Sequence, residues 1–243
     1  MIFCILSHIY LIIVNPFKIK QINDIMLVKS IEHVLYINLK ERDDRKKHVE
    51  SQLNSLNLVY HRFDACKVKN PAIGCSLSHF KCIELAKKNK WSHVMIVEDD
   101  IQFLDPSLFS VQLNQFLSSD LEWDVLLIAG NNIPPYKTIN ETCIQVSRCQ
   151  TTTGYIVRSH YYDTLLNNIK FGAIKLLKQP KDHLLYAIDK YWFSLQEKDN
   201  WYLLMPLTVT QLPGFSDIEK RYTNYNKLML DADKPWLFLG NIR

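Results

Sequence analysis

Two rhythms of apolar and polar positions run along this chain. Three short apolar runs, Val34-Leu35-Tyr36-Ile37, Val94-Met95-Ile96-Val97 and Val125-Leu126-Leu127-Ile128, have the uninterrupted pattern of fully buried strands. Between them apolar residues recur every three or four positions. Val49, Leu53 and Leu56 predict a helix capped by Asp43 or Asp44. Ile73, Leu77, Phe80 and Ile83 predict a second, starting near Gly74. Tyr60 to Phe63 reads as another strand, and Pro106 suits the first turn of a third helix. The second half is less regular. Short strands are expected over Cys143–Arg148 and Tyr155–Val157, around Thr151-Thr152-Thr153-Gly154. Leu185, Ile188, Trp192 and Leu195 mark one helix, and Tyr202–Thr210 a strand broken at Pro206. The alternation predicts a single α/β domain with a mostly parallel central sheet and right-handed crossovers.

Composition narrows this picture. The 243 residues are 47% hydrophobic and 22% charged, enough for a sizeable core. A net charge of +4 with scattered lysines does not point to nucleic acid but is compatible with small acidic substrates. The six cysteines include no Cys-x-x-Cys pair, and Cys75 and Cys82 stand too far apart on a helix to bridge. Reduced cysteines and a cytoplasmic location are expected, with peripheral membrane attachment as the alternative. Met1 to Val14 is apolar but shorter than a membrane span, with no basic segment before it. Residues 1–25 are therefore read as an extension or a misassigned start and 26–243 as the domain. Membrane association through residues 1–25 is not expected.

The chemistry centres on Glu98-Asp99-Asp100, three carboxylates placed directly after a buried-strand pattern. Strand ends in open α/β sheets are where ligands bind. Three adjacent acids there need a cation or strong donors, and Mg2+ or Mn2+ shared with substrate phosphates would serve; a solvated acidic turn is the plainer reading. Arg42 and Arg45 offer donor forks for a phosphate or ribose, or pair locally with Asp43 and Asp44. Gly74 to His79 reads as a helix opening that can receive a polar ligand, or as ordinary capping by Ser76. Gly154 and Tyr155 follow Thr152-Thr153 where a backbone could approach a sugar, or where the strand simply bends. Asp189, at the edge of an apolar stripe, must be paired or functional. The loop Gln211–Asp217 could close over a ligand.

Taken in order, these segments resemble glycosyltransferase family 25, the group of lipooligosaccharide and collagen β-galactosyltransferases. The resemblance runs through Tyr36-Ile37-Asn38-Leu39, Arg42, Asp44-Arg45, Arg62-Phe63-Asp64-Ala65, Gly74-Cys75-Ser76-Leu77-Ser78-His79, Val97-Glu98-Asp99-Asp100, Trp123-Asp124-Val125-Leu126 and Thr153-Gly154-Tyr155, about residues 33–218. It implies a GT-A type nucleotide-sugar-binding fold and an inverting transfer of galactose or glucose from a UDP-sugar to a hydroxyl of a glycan or glycoprotein, with Mn2+ or Mg2+. Asp99 and Asp100 would then meet the metal. Asn38, Arg42, Arg45, Ser78, His79, Glu98, Gly154 and Tyr155 would line the nucleotide-sugar site. Asp189, with Asp217 in reserve, would be the base. A non-catalytic carbohydrate-binding protein and a Mg2+-dependent nucleotidyltransferase are the rival readings; no Gly-x-x-x-x-Gly-Lys phosphate loop supports the second.

Overall fold

A computed structural model describes residues 31–216 and 218–234. The 1–25 extension and Asp217, the reserve base, lie outside the described residues. The chain runs through β1 (Val34–Asn38), α1 (Asp43–Ser55), β2 (Tyr60–Asp64), α2 (Pro71–Lys88), β3 (His93–Glu98), β4 (Ile101–Phe103), α3 (Pro106–Leu117) and β5 (Val125–Asn132). It continues with β6 (Lys137–Asn140), β7 (Cys143–Gln145), β8 (Cys149–Arg158), α4 (Tyr162–Lys178) and three single turns, α5 (His183–Tyr186), α6 (Ile188–Tyr191) and α7 (Phe193–Gln196). Strands β9 (Trp201–Leu204), β10 (Val209–Gln211), β11 (Gly214–Ser216) and β12 (Arg221–Thr223) precede α8 (Asn226–Met229).

The central sheet has eight strands in the order β2-β1-β3-β8-β5-β9-β7-β6. Strands β2, β1, β3, β5, β9 and β6 point one way and β8 and β7 the other. The expected α/β sheet is thus mostly parallel in sense, with β8 inserted antiparallel at its middle.

The unbroken apolar runs follow from burial on both faces, since successive strand residues point to opposite sides. Val34, Tyr36, Met95, Val97, Leu126 and Ile128 face one core with Val49, Leu53, Phe109 and Leu113. Leu35, Ile37, Val94, Ile96, Val125 and Leu127 face the other with Cys82, Ile83, Leu165 and Trp192. Trp192 is fully buried, its ring 5.2 Å from that of Trp201 and 5.9 Å from Tyr155. Among the described residues no helix is long and apolar enough to cross a membrane.

Several predicted elements differ. Arg42 takes the cap position of α1 with no side-chain cap bond, so Asp43 and Asp44 fall within its first turn, and β8 runs unbroken through Thr151–Gly154, where separate short strands were expected. Helix α2 begins at Pro71, not near Gly74, because the Asn70 side chain accepts from the Ala72 amide and Pro71 needs no donor partner at the first turn. The single helix expected over Leu185–Leu195 is split where Ala187 adopts an extended backbone. Tertiary bonds explain the break: the Trp192 indole and Gln196 amide both donate to the Cys149 carbonyl, at 2.9 Å each, and Asp189 is held by Thr151. Cys66, Cys75, Cys82, Cys143 and Cys149 are free thiols.

Candidate active site

Parallel β1 and β3 end side by side, with Ile37 opposite Glu98, so Asn38 and the acids after β3 share one edge of the sheet. Because β8 runs the other way, its first residues reach that same edge: Val97 pairs with Gly154, and Asn131 of β5 with Gln150. Asp99 and Asp100 form the turn into β4, and the Leu212 amide donates to the Asp100 carbonyl at 2.7 Å. A cleft of about 1120 Å3 opens along this edge, with Asn38, Arg45, Glu98, Asp99, Asp100 and Asp189 among the residues of its wall.

The three carboxylates are held differently. Arg45 Nη1 lies 3.1 Å from Asp99 Oδ1 and 3.0 Å from Asp100 Oδ2, and Asn38 Nδ2 donates to Asp99 Oδ2 at 2.7 Å. Glu98 Oε1 accepts from Thr152 Oγ1 at 2.8 Å and lies 3.3 Å from His79 Nε2 and 3.6 Å from Cys75 Sγ. Burial alone would raise the Glu98 carboxyl, but bonds with His79, Thr152 and Cys75 outweigh it and hold Glu98 below its ordinary value. Asp99 is raised, chiefly by burial, against the pull of Arg45 and Asn38. Asp100 is pushed up to about 7, first by burial and then by the Glu98 charge, with Arg45 only partly opposing them. The negative potential of its neighbours therefore concentrates at Asp100, which keeps its proton until about neutral pH.

This donor set fits a hard divalent cation. Its oxygens are carboxylates, Asp100 lacks the positive charge that would let it ionise freely, and the buried Oδ1 of Asn38, whose Nδ2 binds Asp99, has no hydrogen-bond partner. Asn131 Oδ1 and Thr151 Oγ1, from two other residues of the cleft wall, are also buried without partners. Most buried polar atoms are paired, so three orphans around one cleft fit a ligand rich in hydroxyls. A softer cluster lies beneath: Cys75, His79 and Glu98 bring one ligand atom each within 4.8 Å of one another. Burial raises the Cys75 thiol well above its ordinary value, keeping it protonated. Their mutual hydrogen bonds, with Tyr155 Oη 3.0 Å from His79 Nδ1, make this cluster a bracket for Glu98.

The remaining expected site residues divide. Arg42 reaches the cleft wall but forms a fork with Asp44, at 2.9 and 2.7 Å, the local pairing weighed from sequence. Ser78 Oγ receives the Cys66 amide and donates to the Gly74 carbonyl, both at 2.8 Å, fixing the loop before α2. Asp189 stands at the start of α6 on the cleft wall, accepting from the Thr151 amide at 3.2 Å, with Lys190 Nζ at 3.5 Å. Gly154 and Tyr155 are not brought to the cleft. A Cβ on Gly154 would meet Ile128 Cγ1 at 2.8 Å and Ile101 Cδ1 at 2.9 Å, so the missing side chain serves packing. Tyr155 is fully buried and acts through His79.

Sequence reading missed Lys190, Cys75 and the backbone of Thr151. Thr151 has φ 77°, in the left-handed region that a β-branched residue rarely enters. It is held by Asp189, a long-range contact with no local signal.

Comparison with known proteins bears on this geometry. A family model described as "Glycosyltransferase family 25 (LPS biosynthesis protein)" matches residues 31–72. A "Probable inactive glycosyltransferase 25 family member 3" from Rattus norvegicus is 24% identical over 122 residues, 49% of this chain and 20% of that protein. A "Putative glycosyltransferase" from Haemophilus influenzae is 23% identical over 129 residues, 44% of this chain and 45% of that protein. The matches thus span about a fifth of the rat relative and under half of the bacterial one. Among solved structures, a glycosyltransferase involved in glycosylation of the PBCV-1 major capsid aligns over 70% of this chain and 80% of its own, at 11% identity and TM-score 0.41. A glucose-1-phosphate thymidylyltransferase described as putative, from Bacillus anthracis, aligns over 80% and 74%, at 13% identity and TM-score 0.37. Structural likeness at that level assigns no chemistry. The resemblance read from the sequence is met by a family match and by relatives bearing the same family name, and over part of its length this α/β chain is similar to glycosyltransferase family 25.

Proposed function

We propose that the chain is an inverting, metal-dependent glycosyltransferase moving galactose or glucose from a UDP-sugar to a hydroxyl of a glycan or glycoprotein. One observation carries the reading: an undercompensated acid cluster ends β3 in the wall of a cleft ringed by unpartnered polar atoms. Asp100, with Asp99 beside it, would hold Mn2+ or Mg2+, which neutralises charge on a departing diphosphate when bound. Asn38 Oδ1 and Thr151 Oγ1, buried behind the cleft wall, would meet sugar or ribose hydroxyls once the wall shifts to uncover them. Arg45 orients the two aspartates, and Glu98, kept ionised by its bracket, maintains the negative field. Asp189 is the proposed base for the acceptor hydroxyl, kept in place by the Thr151 amide.

The test is incubation with UDP-galactose or UDP-glucose and Mn2+, following donor hydrolysis and acceptor glycosylation. Asp189→Asn is expected to lower transfer by about 10²–10⁴-fold while Mn2+-dependent UDP binding survives. Loss of UDP binding in that variant would remove Asp189 from the base role. A second reading, a sugar-nucleotide binder without turnover, is favoured by two observations. Arg45 occupies an oxygen of each aspartate, and the rat relative is named "probable inactive" and the Mus musculus one "inactive". Tight UDP binding with no hydrolysis of either donor would select it.

A further inference from the structure

Helix α4 has a face that the core does not use. Leu165, Leu166, Ile169, Ala173 and Leu176 are its buried side. Phe171, Ile174 and Leu177 follow one another at spacing three along another side, 56%, 38% and 61% exposed. On α5, Leu184 and Leu185 extend the exposed apolar surface, at 70% and 60%. Scattered exposed apolar residues need no explanation, but five within one short stretch of chain do. Lys170, Lys175, Lys178 and Lys181, all exposed, are interleaved with them, and Asp182 is the one acid between positions 170 and 185.

We infer that this face docks on an anionic lipid bilayer. Charge complementarity and side-chain type both choose that occupant. Lysine is depleted at protein–protein interfaces, yet four exposed lysines interleave this face, and positions 170–185 hold no Trp or Arg. On a bilayer, lysine stems lie along apolar surface while their ammonium groups meet lipid phosphates, and the intervening Phe and Leu enter the acyl boundary. Lys175 already lies over aromatic rings, its Nζ 5.1 Å from the Tyr191 centroid and 5.5 Å from that of Tyr186. Leu184 also lines the cleft, so docking brings the cleft mouth to the lipid surface. The inference does not rest on the proposed sugar transfer.

The test is co-sedimentation of the full chain with phosphatidylcholine vesicles, with and without phosphatidylglycerol. The wild type is expected to bind only the anionic vesicles, less as salt is added. Two double variants, Leu177→Ser with Leu185→Ser and Lys170→Glu with Lys178→Glu, are each expected to weaken binding roughly tenfold or more. Both pairs are exposed, so thermal unfolding should stay close to wild type. Binding unchanged in both variants would place the membrane contact elsewhere, and absence of vesicle binding would refute the inference outright. Concentration-dependent self-association lost in the leucine variant would replace the bilayer by a second copy of the chain.

Discussion

At Asp100 burial and neighbouring charge act together, raising a carboxyl from its ordinary 3.8 to about 7. The folded protein therefore holds this proton more tightly than the unfolded chain. The resulting stability is fully present below pH 3.8 and is lost as pH rises through 7. A divalent ion on Asp100 needs the deprotonated form, so its affinity must move oppositely, falling up to about tenfold per pH unit below 7. Thermal unfolding between about pH 5 and about pH 8, with and without Mn2+, checks this. The ion should stabilise increasingly toward the upper end. Equal stabilisation across the range would mean that Asp100 is not the ligand. Glu98 shows the opposite solution to burial: one acid kept ionised by three donors beside another kept short of compensation.

Among the elements, the apolar runs of β1, β3 and β5 were legible because both faces of each strand are buried, so the sequence pattern needs no partner to be read. The site edge was legible for the same reason, since Glu98-Asp99-Asp100 interrupts such a run. What escaped depends on long-range packing. Nothing local announces that Trp192 and Gln196 converge on one carbonyl and divide a helix, or that antiparallel β8 carries Thr151 and Thr152 to the acids. Gly154 illustrates the ambiguity of glycine, which permits either ligand approach or close packing. Ile101 and Ile128 select the second. Gly154→Ala should thus lower stability by about 1–3 kcal/mol through overpacking. UDP binding should be retained, as thermal unfolding with and without nucleotide would show. Unchanged stability with lost binding would return Gly154 to the ligand site.

For the whole molecule, one sheet edge gathers what the proposed chemistry requires. The arrangement draws acids from the end of β3, an amide from β1, an arginine from α1, hydroxyls from β8 and an aspartate from α6. We propose that residues 26–243 form this unit and that residues 1–25 are dispensable to it. The claim on which the account depends is that the cleft binds a nucleoside diphosphate through a cation held at Asp100. Calorimetric titration of UDP into the protein, with and without Mn2+, tests it directly when wild type and Asp100→Asn are compared. The account predicts that wild-type binding requires Mn2+ and that the variant loses on the order of 10²-fold or more, the several kcal/mol expected of such a cation. UDP binding that is equally tight without the ion, or unaffected by the substitution, would contradict it.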